Sequence, residues 1–288
     1  MTPQVNTLSL RLLLRRASLC VSAFALFAAG ALPSNAHQTA QAPLRVLPLG
    51  DSITAGIVAG GRPGTGGYRL LLQRLLAQSA RKAILVGSRD DMSPDLADPW
   101  HDGFPGYVIR STSPGAPGEL YGGLAKRIVA QTHPDIVLLM VGTNDFLRYE
   151  ATHGTYSVDE MVHSMDLLLR DIYTAAPKTH VIVGAIVDSP KVSECYVERF
   201  DTGHSACDSG THPSLPEVVA WYSAHGYAIA YASGLMHAVP RDLSHFPDGI
   251  HPVEGAQGYD AIARVWFDSI QGVLDETTQL ASDAKKRR

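Results

Sequence analysis

A doubly wound α/β domain, in which helices cover both faces of a parallel sheet to give a three-layer sandwich, is the fold class this chain predicts. Short, near-continuous apolar runs alternate with longer amphipathic segments, the pattern of strands buried on both faces and joined by crossover helices. Right-handed crossovers leave a three-layer sandwich as the simplest topology. No internal repeat or low-complexity linker breaks the alternation. One domain is therefore expected over residues 44–275, a span that α/β domains reach without splitting.

The elements follow in chain order. Residues 1–36 carry Arg11, Arg15 and Arg16, then an apolar stretch over 17–32, then Ser34-Asn35-Ala36. That order matches a secretory leader cleaved near Ala36, followed by a short N-terminal segment, 37–43. Strands are predicted at 44–49, 83–87, 135–141, 181–187 and 227–232. Helices are predicted at 68–78, 120–131, 158–175, 215–225 and 255–274. In the first helix Leu71, Leu72, Leu75 and Leu76 form one apolar stripe. Residues 88–118 and 189–213 read as long loops following strands, placed to wall a site at the sheet's carboxyl edge. Residues 276–288 read as a polar tail.

Charge and cysteine content narrow the class. Loss of the three leader arginines takes 24 basic residues to 21 against 28 acidic ones, a formal charge of −7. No basic patch interleaved with aromatics is present, so a nucleic-acid partner is not expected. Nor is a stable membrane association once the leader is gone, and the mature chain is expected to be a secreted or periplasmic monomer. Cys20 departs with the leader, leaving Cys195 and Cys207 with eleven residues between them. A disulfide is expected, contributing about 2–3 kcal/mol. The run Cys195-x8-His204-x2-Cys207-x4-His212 matches no standard zinc spacing, and no metal is expected.

The chemistry gathers at three loops. Gly50-Asp51-Ser52 closes the first apolar run, placing a serine on the turn at the carboxyl end of a buried strand, where open α/β sheets bind ligands. Serine needs a base to attack. His251 is the candidate, with Asp248 three residues earlier accepting its Nδ1 proton and so presenting Nε2 to Ser52. An oxyanion would meet the Asn144 amide, the Ser52 N–H and the Gly106 N–H, since glycine lets backbone approach a substrate closely. Trp100, Phe104 and Tyr107 flank Gly106, and Trp100 and Tyr107 are candidate stacking surfaces for a sugar ring. Asp51, beside the nucleophile, is a third candidate substrate contact. Taken singly, each motif also reads as a turn or a helix cap.

Together, Gly50-Asp51-Ser52, Gly106, Gly142-Thr143-Asn144-Asp145 and Asp248-x-x-His251 resemble, in order, the four blocks of the SGNH (GDSL-type) hydrolases. The resemblance spans residues 45–270. It implies a flavodoxin-like sandwich on a five-stranded parallel sheet and no metal or organic cofactor. Ser52 would be the nucleophile, Asp248 and His251 would complete the triad, and Ser52, Gly106 and Asn144 would form the oxyanion hole. The segments Leu47-Pro48-Leu49-Gly50-Asp51-Ser52-Ile53-Thr54, Gly66-Gly67-Tyr68-Arg69, Val86-Gly87-Ser88 and His101-Asp102-Gly103-Phe104-Pro105-Gly106 are similar to carbohydrate esterase family 3, a group that includes acetylxylan esterases. That family usually carries Glu where Asp102 stands, and residues 189–213 look inserted. The expected function is an exported serine esterase removing small acyl groups, acetyl first, from carbohydrate. A lipase-like esterase or thioesterase, and a sugar-binding module without catalysis, are the alternatives.

Overall fold

The computed structural model describes residues 42–286, apart from 94, 112–117, 152–156, 207–209 and 211. In chain order it contains β1 (Leu44–Gly50), α1 (Ser52–Ala55), a small hairpin of β2 (Ile57–Val58) and β3 (Arg62–Pro63), α2 (Tyr68–Gln78), β4 (Ala83–Leu85) and β5 (Asp102–Gly103). Next come α3 (Leu124–Thr132), β6 (Ile136–Met140), α4 (Thr143–Ala151), α5 (Val158–Ala175) and β7 (His180–Gly184). The chain closes with α6 (Glu194–Thr202), α7 (Leu215–Ala224), β8 (Ile229–Ala232) and α8 (Tyr259–Lys286).

The long strands pair in parallel in the order β4-β1-β6-β7-β8. Short β5 pairs with β1 beyond the point where β4 stops, Leu49 against Asp102 and Gly50 against Gly103. Counted along the chain, the five long strands run 2-1-3-4-5, the flavodoxin-like order, whose direction of winding reverses between the first and third strands. Here those are β1 and β6, and the crevice at their carboxyl ends is where such folds bind ligands.

Burial explains why these residues pair. Val46, Leu47 and Leu49 of β1, Val137, Leu138 and Leu139 of β6 and Val181, Ile182 and Val183 of β7 are all fully buried, as parallel strands covered on both faces must be. Helices α2 and α8 pack together, as do α3 and α5, with α7 beside α5. Gly50 is required where it stands: a Cβ there would collide with the Met140 carbonyl of β6 and the Thr54 hydroxyl of α1. The first turn after β1 is thereby pressed onto its neighbouring strand.

Several expectations change. The stretch 189–213, expected as loop, contains α6, begun at Ser193 and ended at left-handed Gly203. Arg199 of this helix donates to Asp159 of α5 at 2.7 Å, fastening the insertion to the helix layer. Cys195 lies in α6, whereas Cys207 lies outside the described residues. Helix α8 continues to Lys286, past the expected end at 274, because 275–286 is rich in helix formers and places Lys285 and Lys286 at its negative end. The leader and residues 37–41 lie outside the described residues. Among the described residues no helix is long and apolar enough to cross a membrane.

Candidate active site

The turn after β1 is built around Asp51. Its Oδ1 accepts the Ile53 N–H at 2.9 Å and caps α1, which places Ser52 at the first helical position. The N–H groups of a helix's first turn lack intrahelical partners, and the Ser52 amide is one of them. Buried Arg69 of α2 supports α1, donating to Ala55 O at 3.0 Å, to Pro99 O at 2.7 Å and to Ser93 Oγ. One guanidinium thus joins the helix carrying Ser52 to the long 88–118 segment. Burial draws that guanidinium down to about 10.

His251 reaches the same place from the far end of the chain. Its Nδ1–H donates to Asp248 Oδ2 at 2.8 Å, and Ser52 Oγ–H donates to His251 Nε2 at 2.9 Å. Asp248 is held from several sides: Oδ1 accepts the N–H groups of Ile250 (3.0 Å) and His251 (2.8 Å), and Oδ2 also accepts Gly60 N–H at 3.0 Å. Partial burial pushes this carboxyl up, but the hydrogen bonds from the His251 backbone and ring, Ile250 and Gly60 together hold it well below the usual carboxylate range. It therefore stays ionised and keeps the His251 tautomer that exposes Nε2 as an acceptor. Three residues on, Glu254 accepts from Thr65 N (2.7 Å) and Oγ1 (2.6 Å), and Lys191 N–H donates to Gly249 O at 2.9 Å. The turn bearing Asp248 and His251 is so braced by the β2–β3 region on one side and the segment after β7 on the other.

Asn144 stands at the second position of α4, directly after β6, and donates from Nδ2 to Tyr107 O at 2.9 Å. An amide has two N–H groups, so the second remains to point elsewhere. Gly106 adopts φ +81° in the turn Phe104–Tyr107, a conformation that suits glycine. This turn is pinned to β1 by Phe104 N–H donating to Gly50 O at 2.9 Å. It is stiffened by His101, whose Nδ1 accepts Gly103 N–H at 3.0 Å while Nε2–H donates to Asp91 O at 2.9 Å. Burial, helped by the nearby Arg69 charge, drops the His101 imidazole to about 4, so it is neutral in this role. Asp102 accepts from Ser88 through N–H and Oγ–H and ties the turn to the end of β4.

Ser52, His251, Asn144 and Gly106 line one cavity of about 310 Å³, together with Ile57, Gly61, Met92, Pro105 and Ile250. The structure thus brings the expected nucleophile, base and two oxyanion donors to one opening, with Asp248 directly behind His251. The three expected substrate contacts are not there. Asp51 is 1% exposed and spent as a helix cap; burial pushes its carboxyl up to about 6, against lowering by the Ile53 N–H and then His251. Trp100, 42% exposed, lies in a separate depression with Arg45, Ile84 and Thr132. The Tyr107 ring stacks on Phe104, centroids 5.0 Å apart, and covers Gly118 so closely that a Cβ there would strike it; the residue serves the site through its carbonyl. Sequence reasoning missed the β2–β3 hairpin, which both supports Asp248 through Gly60 and walls the cavity through Gly61. The Gly60-Gly61 pair was its signal. Among the described residues no group of three or more His, Cys, Asp or Glu side chains is placed to hold a metal ion.

The chain is 28% identical over 250 residues to a multidomain esterase of Ruminococcus flavefaciens, covering 82% of this chain and 29% of that protein. It therefore spans under a third of that relative's length. Among solved structures it is similar to a family 3 carbohydrate esterase of Clostridium thermocellum (TM-score 0.61, 23% identity, 81% of this chain and 98% of that one). It is also similar to an acetyl esterase crystallised with acetate ion (TM-score 0.57, 24% identity, 81% and 99%). At these identities the structural likenesses establish the fold. Residues 49–261 match the GDSL-like Lipase/Acylhydrolase family. The chain belongs to that family and, as such, is a carboxylic ester hydrolase.

Proposed function

We propose that this protein removes short acyl groups, acetyl foremost, from carbohydrate through a Ser-His-Asp acyl-enzyme mechanism. The observation that carries the reading is the continuous hydrogen-bonded line Ser52–His251–Asp248 opening onto a cavity of only about 310 Å³. Ser52 Oγ attacks the ester carbonyl while His251 Nε2 takes its proton, and Asp248 stabilises the imidazolium that forms. The carbonyl oxygen, now an anion, is met by the remaining Asn144 N–H and the amides of Ser52 and Gly106. The tetrahedral adduct collapses, His251 returns the proton to the departing sugar oxygen, and the acyl group stays on Ser52. Water, deprotonated by His251, then attacks the acyl carbonyl; the second adduct expels Ser52 Oγ, which takes the proton back from His251, and the carboxylic acid leaves.

The cavity size supports a short acyl group, since it lies at the low end of small-ligand clefts of about 300–1,000 Å³. The likeness to a family 3 carbohydrate esterase and an acetyl esterase supports a carbohydrate acetyl ester. The leader pattern over 1–36 and the paired count of Cys195 and Cys207 support export with a disulfide in the mature chain. Four apolar walls, Ile57, Met92, Pro105 and Ile250, favour the second reading, a lipase-like esterase. A series of acetyl, butyryl and octanoyl esters separates the two. Each methylene that could be buried would gain about 0.8 kcal/mol, so a lipase-like site favours octanoyl. The acetylesterase reading expects kcat/KM to fall steadily from acetyl, with acetate released from acetylated xylan; octanoyl as best substrate would replace it.

A further inference from the structure

Away from Ser52, on the outer side of α5 and α7, lie two adjoining depressions of about 390 and 460 Å³. They share Arg170, Trp221 and Tyr222 and have no lining residue in common with the Ser52 cavity. Trp221 stands between them, 50% exposed. One face of its indole is stacked on His225, centroids 3.9 Å apart at 24°, and Tyr222 meets it edge-on. Behind it Tyr222, Tyr173 and Tyr227 form a packed aromatic cluster with centroid spacings of 4.7 to 5.6 Å, and Tyr227 is itself 39% exposed.

The polar groups beside these rings are fixed. Asp166 accepts from Tyr222 Oη at 3.0 Å and pairs with Arg170 through both carboxylate oxygens, at 3.3 and 2.9 Å. That holds the exposed Arg170 guanidinium at the point where the depressions join. The Ser214–Glu217 capping box fixes the start of α7, so the helix presenting Trp221 is anchored at its N-terminus. A rigid indole at the surface beside an oriented carboxylate–guanidinium pair suits a ligand with a flat C–H face and a rim of vicinal hydroxyls. The face packs on the aromatic ring and the hydroxyls bond to the planar charged groups. A lipid would instead need a continuous aliphatic lining, and among the described residues the aliphatic walls here are Val162, Val218 and the proline rings.

We propose that this cleft is a second, non-catalytic binding site for a linear polysaccharide chain, which would hold polymeric substrate on the protein while Ser52 acts on it. The glycan identity of the ligand rests on the reading under Proposed function; the site's geometry does not. Affinity gel electrophoresis of the whole protein in gels containing deacetylated xylan, glucomannan or chitosan tests it. Wild-type protein is expected to be retarded by at least one polymer. Trp221→Ala should weaken that retardation about tenfold or more, and Arg170→Ala should weaken it in part. Hydrolysis of p-nitrophenyl acetate and the melting temperature should stay unchanged in both variants, which separates lost binding from lost fold. Absence of retardation by all three polymers, or equal retardation of wild type and Trp221→Ala, overturns the proposal. Deacetylation of acetylated xylan, measured on the same preparations, keeps the two readings apart. Retardation without deacetylation leaves the cleft standing and removes the carbohydrate esterase reading, and the reverse removes the cleft.

Discussion

Asn144 donates to the Tyr107 carbonyl at 2.9 Å, and so joins the end of β6 to the turn that carries Gly106. Its neighbour Asp145 completes the grip by accepting the Ile109 N–H at 3.2 and 3.1 Å with its two oxygens. Two adjacent residues of α4 thus fix the segment that follows Gly106. These bonds fix the Asn144 side chain relative to the Gly106 turn, the preorganisation that the proposed oxyanion role of both residues requires.

This relationship predicts a split between two neighbouring substitutions. Asn144→Ala should lower kcat by roughly 10² to 10³ with little change in KM. Asp145→Ala strands the buried Ile109 N–H and should cost about 1–3 kcal/mol of stability. Steady-state kinetics and denaturant melts of both proteins check this. Equal stability loss with full activity in Asn144→Ala would remove Asn144 from the oxyanion role.

How much of this arrangement was legible in the chain depended on the kind of signal. The β1 and β6 runs were readable because strands buried on both faces are apolar at every position, and the residues closing them, Ser52 and Asn144, inherited reliable places. Helices α2 and α5 were readable end to end from their stripes. Short pieces were not: α1 has four residues, and α4 begins Thr-Asn-Asp and reads as a turn. Helix α6 lies in a stretch whose cysteines suggested a loop. Side-chain direction in irregular backbone was the other blind spot. Trp100 and Tyr107 stand close to Gly106 in sequence, yet one faces a different depression and the other turns into packing on Phe104. No periodicity exists in such a segment to say which way a ring points.

Asp248 provides the second test. Asp248→Asn keeps the size of the side chain but offers a neutral partner to His251 Nδ1, weakening the hold on the productive tautomer and on the imidazolium. A fall in kcat of about 10⁴ is expected, at near-wild-type KM. Unchanged kcat in the folded variant would show that another group orients His251.

Asp201 gives a prediction on pH. Burial pushes its carboxyl up to about 7, only partly offset by the Tyr231 hydroxyl, with Asp188 nearby adding to the rise. The folded value lies above the unfolded one, so the folded protein holds this proton more tightly. Its contribution is fully present below the unfolded carboxylate range and is lost as pH rises through about 7. Asp201→Asn can still accept from Tyr231 and does not titrate. Its melting temperature relative to wild type should therefore rise between pH 4 and pH 8. A difference that stays flat across that range would contradict the assignment.

The cysteines supply a fourth. If the mature chain is exported as proposed, Cys195 and Cys207 should be joined, tethering α6 to the segment before α7. Mass spectrometry of the exported protein under non-reducing conditions should find no free thiol on either residue. Two alkylatable thiols without reductant would contradict it.

The central claim is that Ser52, activated by His251, carries the acyl group. Its most direct test is peptide mass spectrometry after reaction with an organophosphate ester that traps activated serines. One phosphoryl adduct, on the peptide containing Ser52, should accumulate in step with loss of esterase activity, and it should be absent from a folded, inactive Ser52→Ala protein. Inactivation with Ser52 unmodified, or esterase activity persisting in folded Ser52→Ala, would contradict the account.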